Sequence, residues 1–424
     1  MNNVALLFPG QGSQYVGMGK VLYGQYPLAR EIFDEADEIL GMDLKKLCFE
    51  GSMEELTKTE NTQPAILTAS FAAYKVLMKE TGLDPKYFAG HSLGEISALT
   101  AAGAIKFSDA VNIVRRRGSF MQEAVPAGAG AMSAVGGIDS GIIEECCIIC
   151  SSAGNLVTVS NYNSPDQIVI SGHKTAVEAA GRLLSEKGGR VIALKVSAPF
   201  HCSLMQPAAD RIREELSNYH FMDMSYPVVS NVTALEYQNK DNIVDLLSLQ
   251  IVKPVLWSAS MEYIRKSGVD TMIEVGPQTV LKKLMGKIDN QMMSLSMDNE
   301  DDFKKVKEIF VKKPLSNSAR EAKLKFIIKC IAITVSTKNR NWDNEEYKKG
   351  VVEPYREVCA MLNQIEQEDS EPEFEQVEKA LNMLKTVFET KRTPSDEQKE
   401  RFHRLFEETG IHNVFPALGG TNKI

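Results

Sequence analysis

The chain has 424 residues, 43% of them hydrophobic, which is room for two or three ordinary globular domains. Its 56 acidic and 48 basic residues give a formal charge of -8, a balance that argues against gripping nucleic acid through phosphate neutralisation. No apolar run is long enough to span a bilayer, and Met1-Asn2-Asn3-Val4-Ala5 lacks the basic start and apolar stretch of a secretory signal, so a cytoplasmic protein with no membrane or nucleic-acid partner is expected.

Val4–Phe8 reads as an apolar strand that runs into a glycine-rich turn, Gly10-Gln11-Gly12-Ser13-Gln14. Helices are predicted over Leu28–Leu40 and around Pro64–Lys79. A short strand, Lys86–Ala89, enters a second sharp turn at Gly90, and an alanine-rich helix follows from Leu93. Strand, turn and helix repeated in this way predict a parallel α/β core. From Met132 the pattern changes. Strand Met132–Val135, helix Gly141–Cys150, strands Leu156–Val159 and Gln167–Ile170, helix Thr175–Lys187 and strand Arg190–Val196 give the β-α-β-β-α-β order of a ferredoxin-like unit. The core resumes with Val228–Ser230 and Met272–Val275, which makes that unit an insertion. The expected architecture is a hydrolase-like parallel-sheet core (residues 1–128 and 197–300) with a ferredoxin-like subdomain (129–196) and a C-terminal helical extension (315–424).

Beyond residue 300 the charge density rises: 22 basic and 22 acidic residues fall in 301–424, against 26 and 34 in the 300 before them. Helical periodicity covers Ala319–Thr337, Glu345–Gln367 with a break at Pro354, Glu373–Thr390 and Ser395–Glu408. Ser395 with Gln398, after Pro394, reads as a capping box, and Lys312–Ser318 as a linker. Charged amphipathic helices of this kind fit either a docking module or a cap over an apolar patch of the core. The seven cysteines, at 48, 146, 147, 150, 202, 330 and 359, are odd in number and irregular in spacing, unlike a disulfide framework. Cys147 and Cys150 lie in an apolar run without a second pair or a nearby histidine. They are read as hydrophobic filler, and no metal is expected.

Two turns carry chemistry. Gly90-His91-Ser92-Leu93-Gly94 matches G-x-S-x-G with a strand before it and a helix after it, the setting that holds a nucleophilic serine in a sharp, exposed turn. The helix from Leu93 aims its unpaired N–H groups where negative charge develops during acyl transfer. Gly10–Gln14 is a second turn after a strand. A phosphate cradle is its rival reading, but it lacks the lysine of a P-loop and the third glycine of a dinucleotide fingerprint. An oxyanion loop opposite the serine fits better. A serine hydroxyl also needs a base. Of six histidines, His173, His220, His403 and His412 lie in polar surroundings, and His91 adjoins the serine with its side chain directed away. His201, where the core resumes, is the candidate, with a structural histidine as the competing reading.

These segments, with Phe8-Pro9, Glu95, Arg117-Gly118, Met121-Gln122, Asn161-Tyr162-Asn163-Ser164-Pro165, Pro199-Phe200-His201, Gln250, Pro254-Val255 and Glu274-Val275-Gly276-Pro277, resemble the malonyl-CoA:acyl carrier protein transacylase family over about residues 1–295. The charged tail is similar to that of stand-alone malonyl transacylases encoded with iturin-type lipopeptide synthetases. The resemblance implies that Ser92 takes a malonyl group from coenzyme A and His201 activates it, with a backbone carbonyl in the Gln250 segment orienting the imidazole. It further implies an oxyanion hole from the N–H groups of Gln11 and Leu93, and Arg117 as the clamp for the malonyl carboxylate. Arg115-Arg116-Arg117 alone would read as an exposed basic stretch. Phe200 would crowd an α-substituent; in related acyltransferases an aromatic here goes with malonyl and a smaller residue with methylmalonyl. The acceptor would be an acyl carrier protein or a synthetase carrier domain, in polyketide, lipopeptide or fatty acid synthesis, with no cofactor beyond the coenzyme A thioester. A hydrolase that strips acyl groups from carrier proteins, or a non-catalytic scaffold, are the alternatives. Gln278 departs from the family, which favours small residues after Gly276-Pro277.

Overall fold

Among the described residues nine strands form: β1 (Val4–Phe8), β2 (Tyr87–Gly90), β3 (Gly130–Gly136), β4 (Val157–Ser164), β5 (Gln167–His173), β6 (Arg190–Ala193), β7 (Val228–Val229), β8 (Thr271–Glu274) and β9 (Met293–Ser296). The structure, a computed structural model, describes residues 3–126, 128–196, 198–310, 319–368 and 370–411. The expected linker at 312–318 and His412 lie outside the described residues. The chain divides into two compact units, Met1–Val311 and Lys312–Ile424.

All five side chains of β1 are buried. A strand so apolar needs cover on both faces, and it has it. Val4, Leu6 and Phe8 pack with Phe88 and Val228 on one side, while Ala5 and Leu7 pack with Trp257 and Met261 on the other. The sheet is parallel, in the order β7-β2-β1-β8-β9. Its register sets Phe8 beside Gly90, so the chain leaves both central strands at the same edge. The two glycine-rich turns therefore meet at the C-terminal end of the sheet, where parallel α/β folds bind their ligands.

The inserted sheet is antiparallel, in the order β4-β5-β3-β6. Helices Ser140–Ile149 and Lys174–Glu186 cover one face, burying Val135, Ile143, Ile170 and Leu184 among them. Met132 and Val169 belong instead to the core cluster of the parallel sheet. A short bridge fastens the subdomain to that core: Tyr162 N–H donates to the Val255 carbonyl and Val255 N–H to the Ser160 carbonyl, each at 2.9 Å. The fold class read from the sequence is thus the one observed, with boundaries shifted by a few residues. β6 ends at Ala193 rather than Val196.

One such shift has a clear cause. The helix predicted from Pro64 begins at Thr59 and continues to Thr81, with Pro64 inside it. Proline cannot donate to the carbonyl four residues back. That carbonyl, Glu60 O, instead accepts from Arg115 Nη1 at 2.9 Å.

The second unit is helical with its own core, in which Phe326, Val358, Leu384, Phe388 and Phe402 are buried. The expected break near Pro354 is a π-helical turn, Lys348–Val352, between helices Asn344–Tyr347 and Glu353–Gln367. The capping-box expectation is corrected. Pro394, not Ser395, caps helix Ser395–Thr409 without a side-chain bond, and Gln398 Nε2 donates to the Thr393 carbonyl. The reciprocal box forms one helix earlier, between Glu373 and Gln376 at the start of Phe374–Thr390. No helix among the described residues is long and apolar enough to cross a membrane.

Candidate active site

Ser92 stands between β2 and helix Leu93–Ala101 with φ 53° and ψ -106°. Such a backbone costs a non-glycine residue about 1–3 kcal/mol, so its neighbours must hold it. The flanking glycines serve space rather than dihedral freedom. A Cβ on Gly90 would lie 1.9 Å from the Gly94 carbonyl carbon, and one on Gly94 2.0 Å from the Phe8 oxygen. Asn231, just past β7, braces the turn: its Oδ1 accepts from Ser92 N–H at 2.7 Å and its Nδ2 donates to the Gly90 carbonyl at 2.7 Å.

Ser92 Oγ is 2.8 Å from His201 Nε2, and His201 Nδ1 is 2.8 Å from the Gln250 main-chain oxygen. A carbonyl only accepts, so Nδ1 carries the proton and Nε2 offers its lone pair to the serine hydroxyl. Burial, followed by the positive charge of Arg117, pushes the imidazole down to about 3, which keeps it neutral near pH 7. The other histidines are elsewhere or engaged. His91 Nε2 lies 2.8 Å from Asn163 Oδ1, His173 Nδ1 accepts from Leu156 N–H, and His220 and His403 are exposed.

Arg117, on helix Phe107–Glu123, is 2% exposed, whereas Arg116 faces solvent. Its partners are all neutral: Nη1 donates to Gln63 Oε1 at 2.9 Å, and Nη2 to Gln250 Oε1 at 2.9 Å and Ser92 Oγ at 3.1 Å. Its Nε–H is buried without a hydrogen-bond partner among the described residues. Burial lowers its pKa to about 10 against the opposing charge of Glu95, so it remains a cation. A buried cation with an unused donor beside a hydroxyl is a poised anion site.

Gln11, Leu93 and Phe200 line one cavity of about 160 Å³ together with Ser92, Arg117 and His201, and Gln250 bonds to three of those residues. All seven residues singled out in the sequence converge here. Asn231, Gln63 and the role of Glu95 were not singled out. Glu95 is fully buried and accepts from Tyr237 Oη at 2.5 Å, Gln250 Nε2 at 2.6 Å and Asn231 N–H at 3.1 Å. Its only sequence signal is a lone charge in an otherwise uncharged helix, Leu93–Ala101; Asn231 carries none. Gln278 adopts φ 65° and its N–H donates to Asp298 Oδ2 at 2.7 Å, so the family departure is absorbed in a bonded turn. Of the pair read as hydrophobic filler, Cys147 is buried whereas Cys150 is only half-buried. No group of three or more metal-ligating side chains occurs among the described residues.

A serine elbow, a neutral histidine and a parallel sheet carrying an inserted ferredoxin-like unit are the parts of an acyl transferase, and residues 5–299 match the acyl transferase domain family. A malonyl CoA-acyl carrier protein transacylase of Bacillus subtilis is 37% identical over 398 residues, covering 94% of this chain and 99% of the relative. One from Escherichia coli K12 is 48% identical over 289 residues, 68% of this chain and 93% of its own length. Among solved structures, the transacylase of Coxiella burnetii superposes with a TM-score of 0.71 at 38% identity, over 73% of this chain and 98% of that one. A malonyl-transacylase in complex with its type II PKS acyl-carrier protein gives 0.71 at 41%, over 72% and 99%. The chain belongs to the malonyl CoA-acyl carrier protein transacylase family.

Proposed function

We propose that this protein is an [acyl-carrier-protein] S-malonyltransferase that works through a malonyl ester of Ser92. Ser92 Oγ attacks the thioester carbonyl of malonyl-CoA while His201 Nε2 takes its proton. The N–H groups of Gln11 and Leu93 hold the developing oxyanion. When the C–S bond breaks, the coenzyme A sulfur leaves with the proton returned by His201. The phosphopantetheine thiol of an acyl carrier protein, or of a synthetase carrier domain, then gives its proton to His201 and attacks the ester, and Ser92 recovers its own. Such a relay runs with ping-pong kinetics and uses no metal or organic cofactor. A cytoplasmic enzyme of polyketide, lipopeptide or fatty acid synthesis fits this reading.

The observation that carries it is Arg117. A guanidinium sealed among neutral partners, 3.1 Å from the serine hydroxyl and with an unused N–H, suits an acyl group ending in a carboxylate. A hydrolase for uncharged acyl chains has no use for such a clamp, and a scaffold has no use for the serine-histidine contact. Incubation with malonyl-CoA and a phosphopantetheinylated carrier whose thiol is free, in parallel with an acetyl-loaded carrier, tests this. Malonyl transfer should far outpace hydrolysis; rapid release of acetate from the loaded carrier would favour the hydrolase.

A further inference from the structure

Gln250 does two jobs with one residue. Its main-chain carbonyl holds His201 Nδ1 and its side-chain Oε1 accepts from Arg117 Nη2. Its Nε2 faces acceptors only: Glu95 Oε2 at 2.6 Å, the Ser92 carbonyl at 3.0 Å and Asn231 Oδ1 at 3.3 Å. A turned amide would set NH2 against the guanidinium and oxygen against the carboxylate, two like contacts at once. We infer that Glu95 is a positioning residue whose ionised carboxylate fixes the orientation of the Gln250 amide, and through it Arg117 and His201, for the reaction proposed above.

The carboxylate is equipped for this. It takes a bond from Tyr237 on one oxygen and from Gln250 and Asn231 N–H on the other, so Oε2 has no room for a proton while the network stands. A proton on the carboxyl, which Oε1 has room to take, removes the charge that holds the Gln250 Nε2–H and loosens the amide. The charged and titratable groups around this network are Tyr237, bonded to Glu95, Arg117 across the amide, and His201 on the Gln250 carbonyl with His91 near it. Burial pushes Glu95 up to about 7 against the bonds from Tyr237 and Gln250, whereas His201 lies near 3. Glu95 is therefore ionised above neutrality and protonates as the pH falls through that value. An acid limb close to pH 7 belongs to Glu95 and not to the catalytic imidazole.

The test is the pH dependence of Ser92 acylation by malonyl-CoA, read by rapid quench without a carrier protein, so that no acceptor thiol titrates. The wild-type rate should fall as pH drops below about 7. Glu95→Gln, nearly isosteric, should be slower by roughly 10-fold at pH 8, because the bond to a charged acceptor is lost, and flat through the limb. Tyr237→Phe, which leaves the carboxylate in place but strips one donor, should move the limb upward by about half a pH unit or more. The Nδ1–H resonance of His201, which needs no turnover, should titrate through the same range in the wild type and not in Glu95→Gln; this reads the positioning role even if the acyl donor were not malonyl-CoA. Wild-type rates and an unmoved limb in Glu95→Gln, or an unmoved limb in Tyr237→Phe, would overturn the assignment.

Discussion

At Arg117 two effects compete. Taking a guanidinium out of water is costly, and only hydrogen bonds or a bound anion offset the cost. Gln63, Gln250 and Ser92 supply neutral acceptors, and the Nε–H is left without a partner among the described residues. Arg117→Ala should therefore cost about 2–4 kcal/mol in malonyl kcat/KM, with a much smaller loss for acetyl-CoA; equal losses for both would remove the clamp. The same variant deletes one of the causes that hold His201 down, so the imidazole should protonate at higher pH in an NMR titration, with burial limiting the rise. Phe200→Ser should narrow the preference for malonyl over methylmalonyl by about 1–3 kcal/mol, measured as a ratio of kcat/KM values. Ser92 could be read from the sequence because glycine spacing acts locally. His201 was one candidate among six histidines. Asn231 was hidden and the role of Glu95 only faintly signalled by a lone charge in its helix, because burial and a partner more than 130 positions away leave little local trace.

The elements were legible where apolar pattern and turn chemistry agree, as at β1, and less so where a distant side chain rewrites a local rule. Pro64 is the example: a helix start by its own chemistry, it sits inside a helix because Arg115 takes the carbonyl it abandons. Arg115→Ala should leave that carbonyl without this donor and destabilise the first unit by about 1–2 kcal/mol in chemical denaturation, with the catalytic residues untouched. The tail made the opposite error visible. Ser395 and Gln398 have box-forming types and spacing, yet Pro394 occupies the cap and Gln398 bonds to Thr393. The elbow tolerates less. A Cβ at Gly94 meets the Phe8 carbonyl at 2.0 Å, a contact only backbone movement can relieve. Gly94→Ala should cost at least about 2 kcal/mol of stability and most of the activity, seen together in melting and acylation assays.

The two units each bury a core of their own. The acyl transferase match ends at residue 299, and the Escherichia coli relative is covered to 93% by 289 residues, so a chain the size of the first unit suffices there. The Bacillus subtilis relative, in contrast, is matched along 94% of this chain and shares the extension. A chain ending at residue 310 should accordingly keep Ser92 acylation within a few-fold of the full-length rate. A change in transfer to particular carriers alone would mark the helical extension as a docking module.

The most direct trial of the whole account is intact-mass analysis after brief exposure to malonyl-CoA, with peptide mapping of the adduct. One malonyl group on Ser92, lost again on adding a phosphopantetheinylated carrier and never gained by Ser92→Ala, is the predicted result. An adduct on another residue, or none on a folded protein, would contradict it.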